Sequence, residues 1–288
     1  MTEITILSGK GGTGKTSITA ALASVAENAV HCDNDVDAAD LHLIFKPTIQ
    51  ETNTFSSGWE LKIDQSKCNS CTLCSQYCRF RAIHQDENSN LYINPLQCEG
   101  CRLCERICPE RAITAVEKTN NHWYISNTRF GILVHADMGP GEENSGKLVT
   151  QVRKKAKEIG LAQNNKFIIN DGPPGIGCAT IASLSGADKV LLVIEPTKTG
   201  LHDACRLVEL LESFNVDAYA VINKYDINKN VAKDIVTFLN EKQIPVLAHI
   251  PFSESMVEAM TLGKTIMEYQ PQSEIAVIIK EMWSKLIN

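Results

Sequence analysis

Residues 3–22 read EITILSGKGGTGKTSITAAL: an apolar strand-length run, a loop holding four glycines, and then a helix-length run. Within it, Gly9, Gly14, Lys15 and Thr16 satisfy G-x-x-x-x-G-K-S/T. The pattern has force because a strand feeds it and a helix leaves it. The glycines let successive backbone N–H groups turn inward around phosphate, and the helix N-terminus adds partial positive charge. Gly9, Lys10, Gly11, Gly12, Thr13, Gly14, Lys15, Thr16 and Ser17 are therefore read as the nucleotide-binding segment. Lys15 is expected to reach the β- and γ-phosphates, and Thr16 to ligate Mg²⁺.

The surrounding sequence repeats the strand–helix alternation. A strand is expected at Glu3–Leu7, a helix at about Lys15–Glu27, and a short strand ending at Cys32. Further strands are expected at Lys166–Asp171, Lys189–Pro196, Ala218–Lys224 and Pro245–Pro251, with helices around His202–Ser213 and Ala232–Lys242. Apolar strands alternating with amphipathic helices imply an α/β fold with a mainly parallel sheet covered on both faces.

Between the two halves this texture breaks. CNSCTLCSQYCRFRAI from Cys68 recurs thirty residues later as CEGCRLCERICPERAI from Cys98. Eight of the eleven cysteines lie between Cys68 and Cys108. In a chain with no export signal, such density indicates metal rather than disulfides. The repeat is read as a small domain inserted in a loop of the larger one. Residues 1–57 and 121–288 form the outer domain and 58–120 the insert, entered through Gln50–Gly58 and left near Asn120–Asn121.

Each repeat has C-x₂-C-x₂-C-x₃-C spacing and resembles the bacterial two-cluster ferredoxins. That resemblance implies an α+β insert in which the fourth cysteine of each run ligates the other cluster. One [4Fe-4S] cluster falls to Cys68, Cys71, Cys74 and Cys108, the second to Cys98, Cys101, Cys104 and Cys78. Pro109 follows the last run, whereas Arg79 replaces proline after the first. Cys₄ zinc is the competing occupant, although zinc sites usually pair two C-x₂-C knuckles. The clusters could relay electrons or act as a structural staple.

Lys10 adds a second lysine to the loop. Its side chain is expected to project away from its own phosphates. A cation there acts best across a dimer interface, on charge developing at a partner's nucleotide. The plainer alternative is an exposed lysine without a role. KGGTGKT, CDNDVDAADLHL (Cys32–Leu43), GEENSGKLV (Gly141–Val149) and NDGPPGIG (Asn170–Gly177) together resemble the MinD/ParA-type (SIMIBI class) P-loop ATPases containing an inserted ferredoxin domain. The resemblance implies ATP and Mg²⁺ as ligands and an ATP-dependent sandwich, as a homodimer or a paralogous heterodimer. It also implies that Lys10 acts in trans, that Asp35 positions the attacking water, and that Asp33 and Asp171 support Mg²⁺. Asp33 and Asp35 could instead be solvated loop acids, and Asp171 a helix cap. Asn223, at the end of a strand, can bond the purine edge. NKYD (Asn223–Asp226) also fits the guanine reader of GTPases.

The net charge of −6 gives no reason to expect nucleic acid. No export signal precedes the first strand and no run approaches a membrane span, so a cytoplasmic protein is expected. The last helix balances its charges, unlike basic membrane anchors, and is expected to pack on the sheet. Cys178 could bridge subunits through a metal, but is expected to be a small buried thiol. Three outputs compete. These are electron transfer to a redox partner under nucleotide control, cluster or metallocofactor delivery to an acceptor protein, and spatial organisation of the MinD/ParA kind.

Overall fold

The computed structural model describes residues 1–56, 58–139 and 144–288. Ser57 at the expected domain boundary, and Gly141, Glu142 and Glu143 of the GEENSGKLV motif, lie outside the described residues. The chain divides into two compact units. The first comprises Met1–Asn53, Trp123–Asp137 and Ser145–Asn288, and the second Thr54–His122 and Met138–Asn144.

A nine-stranded sheet runs in the order Val246–Ile250, Asp217–Asn223, Lys189–Ile194, Thr2–Ser8, Phe167–Pro174, Ala29–Asp33, Gly131–Asp137, Asn121–Thr128, Thr48–Phe55. The first seven of these pair in parallel. Side chains of one strand divide between the faces, as pleating requires. Leu191 and Val193 join a core with Ile4, Ile6, Ile18, Leu22, Ile279 and Trp283. Val190, Leu192 and Ile194 join the opposite core with Leu207, Leu211, Ile235 and Leu239. The closing helix Glu274–Ile287 buries Ile275, Ala276, Ile279, Met282, Trp283 and Leu286.

Several expected boundaries shift, each for a local reason. The first helix ends at Ala23 rather than near Glu27. The Ser24 hydroxyl bonds the Ala21 carbonyl at 2.7 Å, and Asn28 turns the chain with φ 58°. Asp33 is the last residue of its strand rather than part of the loop after it. The strand expected to stop at Asp171 continues to Pro174. Those expected to end at Pro196 and Lys224 stop at Ile194 and Asn223, while Pro245 and Pro251 flank Val246–Ile250. The helices expected from His202 and Ala232 begin earlier, at Lys198 and Lys229. Most of the expected linker Gln50–Gly58 lies in the edge strand Thr48–Phe55. Its polar composition reflects mostly exposed side chains on an edge, not an absence of structure. Asn121, expected in an exit loop, opens the strand Asn121–Thr128 and is fully buried.

In the second unit, Gly58–Ile63 pairs antiparallel with Ile113–Lys118, and Ile83–Gln85 with Leu91–Ile93. Short helices Leu73–Gln76 and Leu103–Ile107 follow the second cysteine of each run. Its core is thin. Leu61, Cys74, Ile83, Leu91 and Ile113 are buried, and cysteines make up much of what packs around them.

The first unit also buries a charged network. Glu3 and Arg153 are 5% and 8% exposed. The Arg153 Nη2 and Nε atoms donate to Glu3 Oε1 at 2.6 and 2.9 Å, and Asn170 Nδ2 donates to the same oxygen at 2.8 Å. Removing one partner strands the other charge in the core, at a cost of roughly 3–5 kcal/mol. Glu3→Ala should therefore destabilise the protein by about that much in chemical denaturation. The double change Glu3→Met with Arg153→Met should recover most of the loss.

Candidate functional site

The carboxyl ends of the parallel strands deliver their loops to one edge of the sheet, where ligands of such sheets bind. Two of the glycines are needed there for steric reasons. A Cβ on Gly9 would lie 2.5 Å from Asp203 Cβ, and one on Gly14, with φ 90°, would lie 2.3 Å from Asn223 Nδ2. The loop leads directly into the helix Lys15–Ala23, which has no side-chain cap. Its first N–H groups have no partner within the helix, as an anion site requires.

Lys15 is only 6% exposed. Its Nζ lies 3.0 Å from Asp171 Oδ2 and 3.6 Å from Asp35 Oδ2. Burial pulls its pKa down, but Asp171, Asp35 and Asp33 together outweigh that and hold it above the usual lysine range. Asp171 also accepts hydrogen bonds from the Thr16 and Thr19 hydroxyls, both at 2.7 Å. Thr16 and Asp171, two of the expected magnesium ligands, thus meet directly. The third, Asp33, accepts from the backbone N–H groups of Asp35 at 3.1 Å and Leu41 at 3.2 Å. Burial, together with the nearby Asp171 carboxylate, raises the Asp33 pKa well above the usual range.

Three carboxylates facing one ammonium leave excess negative charge, and the donors are hard oxygens. That set suits a divalent cation of the magnesium type. The adjoining cleft of about 400 Å³ is lined by the loop residues Gly11–Ser17, by Asp35 and Asn223, and by Phe252, Met256 and Met260. Its volume suits a small organic ligand. The Thr13 hydroxyl is buried in its wall without a hydrogen-bond partner among the described residues.

Lys10 does not line that cleft. Its Nζ rests 3.1 Å from Glu195 Oε2 and 3.2 Å from Thr197 Oγ1, with the side chain 30% exposed. Lys224 reaches the same carboxylate at 3.0 Å and donates to the Gly12 carbonyl at 3.1 Å. Burial alone would raise the Glu195 pKa, but Lys224 and Lys10 hold it below the usual range. Asn223 donates its amide to the Thr13 carbonyl at 2.7 Å, which ties down the loop. Asp226 accepts the Phe252 N–H at 2.7 Å, so one oxygen expected to read guanine is spent on backbone.

Sequence reasoning missed Glu195, Lys224 and Thr19. Thr19 was available as the residue four after Lys15, one helical turn on. Glu195 directly follows a strand's carboxyl end, the position from which α/β sheets recruit ligand contacts. Lys224 carries no sequence signal beyond its adjacency to Asn223. Cys178, expected to be buried, is exposed at the first turn of the helix Cys178–Leu184.

The eight clustered cysteines converge on two hollows in the second unit. Cys68, Cys71, Cys74 and Cys108 line one. Cys78, Cys98, Cys101 and Cys104 line the other, with Cys74 also in its wall. Among the described residues, no three His, Cys, Asp or Glu side chains are grouped to hold a single metal ion. Four thiols spread around a hollow fit a polynuclear cluster better than one ion. The second hollow spans about 290 Å³ and the first about 20 Å³.

A model of the CobQ/CobB/MinD/ParA nucleotide binding domain matches residues 4–266. An uncharacterised protein of Methanocaldococcus jannaschii is 33% identical over 99% of this chain and 96% of its own length. A second uncharacterised protein of that organism is 32% identical over 48% of this chain and 46% of its own. The septum site-determining protein MinD of Pyrococcus horikoshii, solved with Mg-ADP, shares the fold with a TM-score of 0.59 at 18% identity. That match covers 99% of this chain and 95% of the other. A chain of the MinC:MinD cell division protein complex of Aquifex aeolicus gives a TM-score of 0.58 at 21% identity, covering 100% of this chain and 96% of that one.

Burial raises the Asp35 pKa to about 6, against the opposing pull of Lys15. Its ionised form is therefore disfavoured by folding. The associated stability is fully present below about pH 4 and lost as pH rises through about 6. Without nucleotide and with chelator present, Asp35→Asn should be more stable than the parent at pH 8 by roughly 1–3 kcal/mol. The gap should shrink steadily towards pH 4.5 in urea titrations, and a gap independent of pH would contradict the assignment.

Proposed function

The chain belongs to the CobQ/CobB/MinD/ParA nucleotide-binding family, and from that premise we propose an ATP-hydrolysing switch that governs a unit carrying two [4Fe-4S] clusters. One observation carries the reading beyond the family. A chain with a phosphate loop also presents two hollows, one lined by four cysteines and the other by five. When bound, the clusters would supply one-electron transfer to or from a partner protein.

At the nucleotide, Lys15 would leave the Asp171 carboxylate for the β- and γ-phosphates, and Thr16, Asp171 and Asp33 would support Mg²⁺. Asp35 would orient the attacking water. Asn223 borders the cleft beside Phe252, Met256 and Met260, where the base would sit on an apolar wall. Lys10 would release Glu195 and cross to the nucleotide of a second subunit. That subunit would be another copy of this chain or a paralogue. Two related proteins in one organism are consistent with a paralogous pair.

A second reading, spatial organisation, has the named neighbours on its side. The fold matches include MinD proteins, a Cyanothece McdA and a Chlorobium ParA-family ATPase. The closing helix is committed to the core, and no helix among the described residues is long and apolar enough to cross a membrane. Delivery of clusters to an acceptor protein is a third output of the same architecture.

These outputs separate experimentally. Protein purified without oxygen should contain iron and sulfide, and electron paramagnetic resonance after dithionite reduction should change on adding MgATP. Clusters that leave for an apo-protein indicate delivery. Iron-free protein that pellets with liposomes in ATP indicates spatial organisation.

The trans role of Lys10 has its own test. Lys10→Ala and Lys15→Ala should each lower ATP turnover by about a hundredfold or more. Mixing the two inactive proteins should restore turnover, because one site then has its own Lys15 and its partner's Lys10. Absence of complementation, with dimers present, would remove the role assigned to Lys10.

A further inference from the structure

The two cysteine repeats share their cysteine spacing but agree at only eight of the sixteen positions quoted above, so the places where they differ can set the two sites apart. Several determinants of a cluster's potential are matched between the hollows. The Ala82 N–H donates to Cys78 Sγ and the Ala112 N–H to Cys108 Sγ, each at 3.3 Å. Cys71 and Cys101 are both exposed, and Cys68 and Cys98 are both half-buried. Hydrogen bonding and exposure are alike at these cysteines, whereas Cys74 is buried and Cys104 only half-buried.

Charge is not matched. The first hollow, lined by Cys68, Cys71, Cys74 and Cys108, carries Pro109 and Glu110 in its wall. Asn69 Nδ2 donates to Glu110 Oε1 at 3.0 Å, which fixes the carboxylate at that rim. In the other repeat the equivalent positions are Arg79 and Phe80, and both line the second hollow. Arg79 is exposed and forms no ion pair or hydrogen bond among the described residues. Arg102 also lines the second hollow but is paired with Glu105 at 2.6 Å, and Glu99 offsets part of the positive charge there. Even with Arg102 counted as neutral, the second rim is less negative than the first by one charge.

We infer that the two sites are unequal, and that Arg79 makes the site framed by Cys78, Cys98, Cys101 and Cys104 the resting place of the first electron. The inference deepens the cluster reading above and rests on it. Reduction adds one negative charge without making or breaking a bond, so a nearby cation favours it and a nearby carboxylate opposes it. Arg79 is thus a positioning residue for charge rather than a ligand. The chain's departure from proline after the first repeat acquires an electrostatic reason.

The test is a potentiometric titration of the full chain, purified without oxygen and reduced stepwise with dithionite. Iron content, visible absorption and electron paramagnetic resonance are followed together. The parent should show two separated midpoints. Arg79→Gln should lower only the upper one, shifting the electron partition about tenfold, or roughly 59 mV for one electron. Arg79→Lys should restore it. Glu110→Gln should raise only the lower midpoint. Because Arg79 is exposed, added salt should narrow the gap more in the parent than in Arg79→Gln, where only the Glu110 contribution is left to screen. Iron-free protein would overturn the cluster reading itself. Full iron content with coincident midpoints, or an upper midpoint indifferent to Arg79→Gln, would overturn only this inference.

Discussion

The nucleotide cleft is organised around a buried cation. An ammonium with 6% exposure is tenable only when carboxylates converge on it, since a lone buried charge costs several kcal/mol. Asp171 provides the closest of them and also receives two threonine hydroxyls from the helix that carries Lys15. Sheet register places Asp171 directly beside Asp33 on the neighbouring strand. Two acids in that relation repel each other, and burial together with that repulsion raises the pKa of Asp33. The ligand-free site thus holds more negative charge than Lys15 alone can balance. A divalent cation would relieve that imbalance.

A second set of contacts restrains the phosphate loop from the other side. Asn223 and Lys224 hold the Thr13 and Gly12 carbonyls, and Glu195 links Lys224 to Lys10. The loop is therefore shaped by side chains from two strand ends as well as by its own glycines. Lys10 is stored rather than free. Any role across a subunit interface requires it to exchange Glu195 and Thr197 for a stronger anion, and a triphosphate is one.

The cysteine-rich unit follows another logic. Its buried core is so small that cysteine side chains are a substantial part of it. Segments of this size commonly rely on a metal or disulfides in place of a hydrophobic interior. The repeated sequence builds two similar half-units, and each hollow is lined by three cysteines of one run, with Cys108 joining the first and Cys74 and Cys78 the second. Such sharing brings cysteines of both halves to the same hollows. It also leaves the non-equivalent residues, Arg79 and Glu110 among them, to distinguish one site from the other.

Much of this was legible in the chain itself. The strand–glycine loop–helix order, the apolar strands and the spaced cysteines are local patterns, each imposed by backbone geometry or ligand spacing over a few residues. They determined the α/β architecture, the phosphate loop and the identity of the eight clustered thiols. Other features depended on contacts between distant residues. Neither the engagement of Lys10 by Glu195 nor the loop-tying role of Asn223 has a sequence signature, because each spans more than 180 residues. The edge strand Thr48–Phe55 looked like linker, since an edge strand exposes polar side chains as a loop does. The buried state of Lys15 and the raised pKa of Asp33 were decided by tertiary structure alone. Burial and electrostatic coupling depend on which groups meet in space, and chain order does not specify that.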